Sequence, residues 1–387
     1  MEKLKVLSII PDEGGVGYFR STLPHFRMNE LFAETVDCTM TFNPVLYLNN
    51  YDIVHVCKKS IASPEMLFNP SRKYKVVLDI DDWWNDDPNL TRIIRAADLI
   101  TTTTEYFKNI ILKYNSNVSV LPNAAARYIQ QFIPSTILSN KLRFGLLLGS
   151  SHEEDVKLLS GLANMLYNSE LKDKVQLVLC GFDLSGSLIT KSTLTGEIVT
   201  LPLPKDRAPY PKYEKILTDN YKCVSESYGN FLKNTDIPVT YSGEKYEMYF
   251  RRWTKPITEY ADMYKWIDVL LVPLKDTVFN RCKSPLKLVE AGYRNIPVIA
   301  SDVTPYKEDI IPYFEKGGIE NLAGNGILVD NNKGAKAWFK AIKRLCHDPY
   351  LIHRIADNLY KTVREKYYLD DICKKRLDIY LKLTGRC

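Results

Sequence analysis

Long apolar runs are missing from this chain. Across 387 residues no window approaches the roughly 18–20 consecutive apolar residues of a membrane span. The opening stretch, MEKLKVLSIIPDEGG, carries too short an apolar run for a signal peptide and no small-residue cleavage site, so a cytoplasmic protein is expected. The eight cysteines (38, 57, 180, 223, 282, 346, 373 and 387) are dispersed without a CxxC pair, which excludes a zinc module and a disulfide scaffold. The five histidines lack ligand spacing too, so no metal site is expected. Short-period repeats, low-complexity tracts and the dinucleotide fingerprint GxGxxG are absent. A strong excess of one charge is also wanting. The 52 basic and 46 acidic side chains leave +6, too little to imply nucleic acid. One local bias remains, eight Lys/Arg against four Asp/Glu from Lys361 to Cys387. It reads as the solvated face of a terminal helix, with contact to an anionic membrane surface as the second reading.

What is present is an ordinary globular composition, 45% hydrophobic and 25% charged, in a chain long enough for two domains. Two series of strand-then-helix patterns occur. In the first, Lys5–Ile10, Ile53–Cys57, Val76–Ile80, Leu99–Thr102 and Val118–Leu121 are short apolar or β-branched runs, with helices predicted at Leu90–Ala97 and Glu105–Tyr114. In the second, Phe144–Gly149, Val175–Gly181, Val269–Val272, Pro297–Ala300 and Gly326–Val329 repeat the scheme, with helices predicted near Glu153–Tyr167, Pro285–Tyr293 and Ala335–Leu345. Such alternation implies parallel sheets wrapped by helices, and two such halves create a cleft at the carboxyl ends of their strands. The polar stretch Pro134–Lys141 marks the break. The expected division is therefore 1–137, 138–365 and a final segment 366–387. The Lys-, Tyr- and Pro-rich region 184–255 interrupts the second half, and a helix is predicted there over Tyr213–Lys233.

The stretch FNRCKSPLKLVEAGYRNIPVIAS, Phe279–Ser301, carries the densest chemistry. Ser284 suits an N-cap and Pro285 a first helical position, and Asn295 can close the helix before the next strand. Lys283, Lys287 and Glu290 fall at i, i+4 and i+7, on one face. Free amides and two lysines at a helix start suit phosphate, and a carboxylate two turns on suits ribose hydroxyls. Asn280 stands just before them. In FGLLLGSSHEED, Gly149, Ser150 and Ser151 follow a strand and His152 and Asp155 begin a helix, a second anion-accepting turn. The first strand empties into PDEGGVGYFR, where Gly14, Gly15 and Gly17 permit close backbone approach and Arg20 follows. A later strand ends in DIDDWWNDD. There Asp79, Asp81 and Asp82 can hydrogen-bond sugar hydroxyls or hold a divalent cation, and Trp83 and Trp84 can stack on a sugar face. His55 lies in a cleft strand and reads as a core histidine.

Taken together, GGVGYFR, DIDDWWN, VLPNAA, GSSHEED, DVLLVPL and FNRCKSPLKLVEAGYRNIPVIASDVTPY resemble the GT-B glycosyltransferases, within them the retaining family-4 type. The resemblance implies two Rossmann-like α/β domains facing across a cleft, the first taking the acceptor and the second the nucleotide-sugar donor. It also implies a last helix, here Asp370–Leu383, crossing back to the first domain. By position Glu290 looks like the second glutamate of the family's E-x7-E motif, which holds the donor ribose. The first glutamate is replaced by Cys282, and the family's basic pair after the first strand of the second domain by Ser150, Ser151 and His152.

The activity expected is sugar transfer from a nucleoside-diphosphate sugar to a polysaccharide, lipid-linked or other glycan acceptor. No separate cofactor or metal is expected. Lys283, Lys287, Asp81 and His152 are the candidate catalytic groups. Gly149, Ser150, Ser151, Asn280, Ser284 and Glu290 would bind the donor. Gly14, Gly15, Gly17, Arg20, Asp79, Asp82 and Trp84 would line the acceptor side. The protein would work in the cytoplasm, with peripheral contact to the inner membrane face as an option. Two alternatives stand beside this reading. One is a nucleotide-sugar epimerase, drawing on Asp81, His55 and His152. The other is a non-catalytic sugar or nucleic-acid binder, in which Tyr246, Tyr249, Phe250 and Trp253 alternate with Arg251, Arg252 and Lys255 as a stacking surface.

Overall fold

The computed structural model describes every residue except 1, 43–46, 58–67, 84–86, 186, 192–197, 205–206, 220–247, 315–318 and 387, and only the backbone of 187–191 and 198–200. Two six-stranded sheets organise it. The first contains β1 (Leu4–Ile9), β2 (Val36–Thr41), β3 (Ile53–Cys57), β4 (Lys75–Asp79), β5 (Leu99–Thr102) and β6 (Val118–Val120). They run in the order β2-β1-β3-β4-β5-β6, all parallel, with Val6 opposite both Cys38 and Ile53. The second contains β7 (Leu142–Leu147) and β8 (Val175–Phe182), then, past the antiparallel hairpin of β9 (Ser187–Lys191) and β10 (Ile198–Pro202), β11 (Tyr249–Trp253), β12 (Val269–Val272), β13 (Val298–Ser301) and β14 (Ile327–Val329). Its order is β11-β8-β7-β12-β13-β14, again parallel throughout. Strands such as β3 and β8 are buried along their whole length, as parallel strands covered on both faces must be.

Strand order reverses between β1 and β3 in one sheet and between β7 and β12 in the other. Loops leaving the carboxyl ends at such switch points diverge to opposite faces and leave a crevice. The loop after β1 is the glycine turn, and the loops after β7 and β12 are the Gly149 turn and the approach to Lys283. The sequence pattern thus placed its candidate loops at the topologically open positions.

Elements differ from expectation where polar residues hide a strand or small residues break a helix. β2 reads VDCTMT, and only Val36 and Cys38 of it are fully buried, so its hydrophobic signal is thin. β11 reads YFRRW, the stretch that the non-catalytic alternative makes a stacking surface. It is instead a strand paired with β8, and its arginines are turned inward. Arg251 meets Glu214 at 3.2 Å and the Phe182 ring at 4.0 Å, and Arg252 lies 3.7 Å over Trp266. These contacts consume the aromatic–basic pattern from Tyr249 to Arg252. Tyr246 lies outside the described residues. The helix predicted at Glu153–Tyr167 breaks into Glu153–Val156, a 3-10 turn and Leu162–Tyr167, because Gly161 takes φ +88° between them. That predicted over Tyr213–Lys233 is a helix at Pro209–Thr218, and 220–247 lie outside the described residues.

The Leu369–Thr384 helix packs into the first lobe. Its Leu369, Ile372, Cys373, Leu377 and Tyr380 share one apolar cluster with Leu4, Val6, Met28 and Val36. Its approach is fixed by Leu369 N–H donating to Ala125 C=O, and by Ala125 N–H donating to Tyr367 C=O, both 3.1 Å. No helix among the described residues is long and apolar enough to cross a membrane.

Candidate functional site

The second-lobe site is built on the Leu286–Tyr293 helix. The helix begins one residue later than expected, with Pro285 rather than Ser284 as its N-cap. Asn295 closes it as expected, at φ +59°, while Ile296 N–H reaches back to Ala291 C=O at 2.9 Å. Gly292 lets the helix sit directly on the Tyr350–Lys366 helix, since a Cβ there would stand 2.6 Å from Val363. That packing buries Glu290 to 1% exposure. Such a carboxylate needs partners, and it has two on one oxygen: Lys287 Nζ at 2.9 Å and the Tyr264 hydroxyl at 2.8 Å donate to Oε2. Lys287 also lies 4.8 Å from the centre of the Tyr260 ring.

The Gly149 turn faces this helix. Gly149, Ser150 and Ser151 are exposed, and the Tyr213 hydroxyl braces the turn, donating to Ser150 C=O at 2.9 Å and accepting from His152 N–H at 3.0 Å. His152 Nδ1 lies 2.7 Å from Asp155 Oδ2, and its Nε2 lies 3.5 Å from Lys283 Nζ. Burial, with Lys283 and Lys287 adding to it, holds the His152 pKa below its ordinary value. The ring is therefore neutral near pH 7. Its Nδ1–H donates to the carboxylate, and its Nε2 lone pair faces the Lys283 ammonium. Asp155 also accepts from Lys275 N–H at 2.7 Å and Asn280 Nδ2 at 2.9 Å, clamping the loops after β7 and β12 together. The two turns converge. The helix after His152 has only four residues and opens on Glu153, Glu154 and Asp155, so unlike the Leu286 helix it is no anion site.

The first lobe supplies a wall and a buried relay. In the wall, Gly14 and Gly15 are exposed, and a Cβ on Gly15 would lie 3.8 Å from Ile257 of the second lobe. Gly17 is required by packing, since a Cβ there would stand 2.0 Å from Asp12 C=O. Asp81 and Asp82 are partly exposed, whereas Trp84 lies outside the described residues. Cys282, from the second lobe, is fully buried in the first lobe's cluster with Leu7, Ile9, Ile80 and Trp83. Burial, with the Asp82 carboxylate adding, pushes its thiol up to about 12. Trp83 belongs to that core, edge-on to Phe107, and has no free face for a sugar.

Arg20 and Asp79, expected in the cleft, are both wholly buried. They form a bidentate pair, Nε to Oδ1 at 2.8 Å and Nη2 to Oδ2 at 3.0 Å. Thr101 donates to Asp79 at 2.7 Å, and Arg376 of the terminal helix stands 3.6 Å away. Burial alone would raise the Asp79 carboxyl, but Arg20, His55 and Arg376 outweigh it and hold it well below the usual carboxylate range. An aspartate so engaged cannot share a cation with Asp81. His55 is buried beside it, as expected of a core histidine, which removes it from any epimerase acid–base set.

His25 and His55 stack edge-on at 4.7 Å inside this region, and burial lowers both pKa values, as it does for His152. Such histidines stay neutral in the fold but protonate freely once unfolded. Stability is therefore fully present above the ordinary value of 6.5 and is lost as pH falls from there toward the lowered folded values. Each contributes a slope of up to about 1.4 kcal/mol per pH unit. Urea midpoints should thus drop between pH 7.5 and 5.5. Equal midpoints would mean that these rings titrate alike in both states.

Sequence reasoning missed three groups near these turns, Asn123, Tyr213 and Tyr264, and gave Asp155 no role beyond beginning the helix with His152. Asp155 had a local signal, three residues after His152 on the same turn. Tyr264 had none, since it meets Glu290 from 26 positions away.

No protein-family model and no curated protein sequence matches the chain. Solved structures do. Sucrose-phosphate synthase from Thermosynechococcus elongatus aligns over 100% of both chains at 14% identity and TM-score 0.64. A glycosyltransferase from Rickettsia africae aligns over 100% of both at 14% identity and 0.59. Anabaena HepE, solved with UDP-glucose, aligns over 99% of this chain and 100% of its own at 12% identity and 0.58. The fold is GT-B, two parallel-sheet lobes of the kind these enzymes share, in agreement with the resemblance read from the motifs.

Proposed function

We propose that this chain is a retaining glycosyltransferase that moves a sugar from a nucleoside diphosphate to a glycan acceptor. The observation that carries the reading is the convergence, at the second sheet's switch point, of the Gly149–His152 turn with the start of the Leu286 helix. That brings Lys283 beside His152 and Lys287 beside Glu290, an arrangement suited to a nucleoside diphosphate. Lys287 and Tyr264 share Oε2 of Glu290, so Oε1 is the oxygen with capacity for ribose hydroxyls. Lys287 gives one donor to Glu290 and has two more to give a phosphate. Charge gathers on the diphosphate as the glycosidic bond breaks, and groups fixed in advance around it stabilise the transition state more than the ground state. Lys283, Lys287 and the Leu286 amides would do the work that a cation does in other transferases.

The acceptor is proposed to be a polysaccharide or lipid-linked oligosaccharide, entering along Gly14, Gly15 and Asp82. Arg376 of the terminal basic stretch is internal, while Lys374 and Lys375 are exposed and could meet an anionic membrane face from the cytoplasmic side.

HepE is solved with UDP-glucose, so uridine nucleotides head the test panel. A true donor at 100 times its dissociation constant should stabilise the fold by about 2.7 kcal/mol, read as a raised melting temperature. Glu290→Gln should lose most of that shift. The reading fails if no nucleoside diphosphate or nucleotide sugar moves the melting temperature.

A further inference from the structure

One hydrogen-bonded chain crosses from the first lobe's core into the second lobe's site. Arg20 Nη1 donates to Leu121 C=O at 2.6 Å and to Asn123 Oδ1 at 3.0 Å. Asn123 Nδ2 in turn donates to Ser284 Oγ at 3.0 Å. Arg20 and Asn123 are 0% and 4% exposed, while Ser284 is partly open, between Lys283 and the Leu286 helix.

The polarity of this chain follows from chemistry alone. A guanidinium can only donate, so the amide oxygen of Asn123 must face Arg20. The amide nitrogen is thereby turned to Ser284, and it too can only donate. The Ser284 oxygen must accept, which leaves its single proton free to point elsewhere. Arg20 is itself locked by its two bonds to Asp79, so nothing in the relay can reverse without breaking a buried ion pair.

We propose that Asn123 is a positioning residue that fixes the Ser284 hydroxyl as a donor to an anionic oxygen of the nucleotide substrate. The interaction rests on the function proposed above and deepens it. A serine alone at this place would rotate freely, donating or accepting. Held by Asn123 it only donates, and bonds in a polarised chain strengthen one another. Because Asn123 belongs to the first lobe and Ser284 to the second, the hydroxyl is set only when the lobes are together.

The test is a double-mutant cycle read by calorimetry with uridine, adenosine, guanosine and thymidine diphosphates. Ser284→Ala should weaken binding about tenfold, as expected for a lost hydrogen bond to a charged group. Ser284→Thr, which keeps the hydroxyl, should restore it. Asn123→Ala should weaken binding about three- to tenfold when Ser284 is present and have no effect when position 284 is alanine. Should Asn123→Ala fail to fold, Asn123→Leu, nearer in size, takes its place in the cycle. An Asn123 effect of equal size in both backgrounds, or none in either, overturns the proposal. Should the parent protein bind none of the four diphosphates, it is the transferase reading that fails.

Discussion

Lys287→Ala is expected to lower kcat by about two to three orders of magnitude, the usual cost of removing one preorganised donor from a developing anion. Lys287 is well placed to show so large an effect. Its ammonium is held at 2.9 Å by Glu290 and rests over Tyr260, so it needs no reorganisation when charge appears on the diphosphate. The fold should tolerate the change. Alanine is a good helix former in the first turn that Lys287 occupies, and Glu290 keeps the Tyr264 hydroxyl as a partner. Binding of the free nucleoside diphosphate should weaken much less than turnover, because the bond-breaking step is where the charge grows. Single-turnover rates with the donor found by melting shifts would measure this. A folded variant within about threefold of the parent rate would take Lys287 out of the mechanism.

The second large effect is on stability. Asp79→Ala should destabilise by about 3–5 kcal/mol, the cost of leaving buried charge without its partner. It strands two arginines at once, Arg20 and Arg376, each almost wholly buried. Arg20→Met should cost less, since Arg376, Thr101 and His55 still surround the carboxylate, and methionine refills much of the space. Urea denaturation of both variants tests the order. If Arg20→Met proved the more damaging, then Arg376 at 3.6 Å would not be screening Asp79, and the Arg20 pair alone would hold the region.

The fold was largely legible because parallel strands buried on both faces advertise themselves as apolar runs, and nine of the described parallel strands are of that kind or close to it. The exceptions are instructive. β11 carries two arginines whose charge is answered by Glu214 and by aromatic faces, information that lies in other segments. The cluster proposed as the site was legible as a local pattern, with Lys283 just before the Leu286 helix and Lys287 and Glu290 on it, all within eight residues. It was less so in the first lobe. GGVGYFR and DIDD each resemble cleft-lining motifs, yet Arg20 and Asp79 find each other across 59 residues and withdraw into the core. A local pattern cannot reveal that two attractive charges in separate segments will neutralise one another. The same holds for Asn123, which had no meaning until its neighbours on both sides were in place.

The terminal helix has a consequence for how the molecule is made. The first lobe's sheet is complete once residue 120 has been synthesised, yet part of the cluster that covers it, from Leu369 to Tyr380, arrives some 250 residues later. Domains ordinarily mature in the order in which they leave the ribosome. Here the amino-terminal lobe must wait half-clothed while the carboxyl-terminal one assembles, and a nascent chain halted before its last helix would present that uncovered face to chaperones.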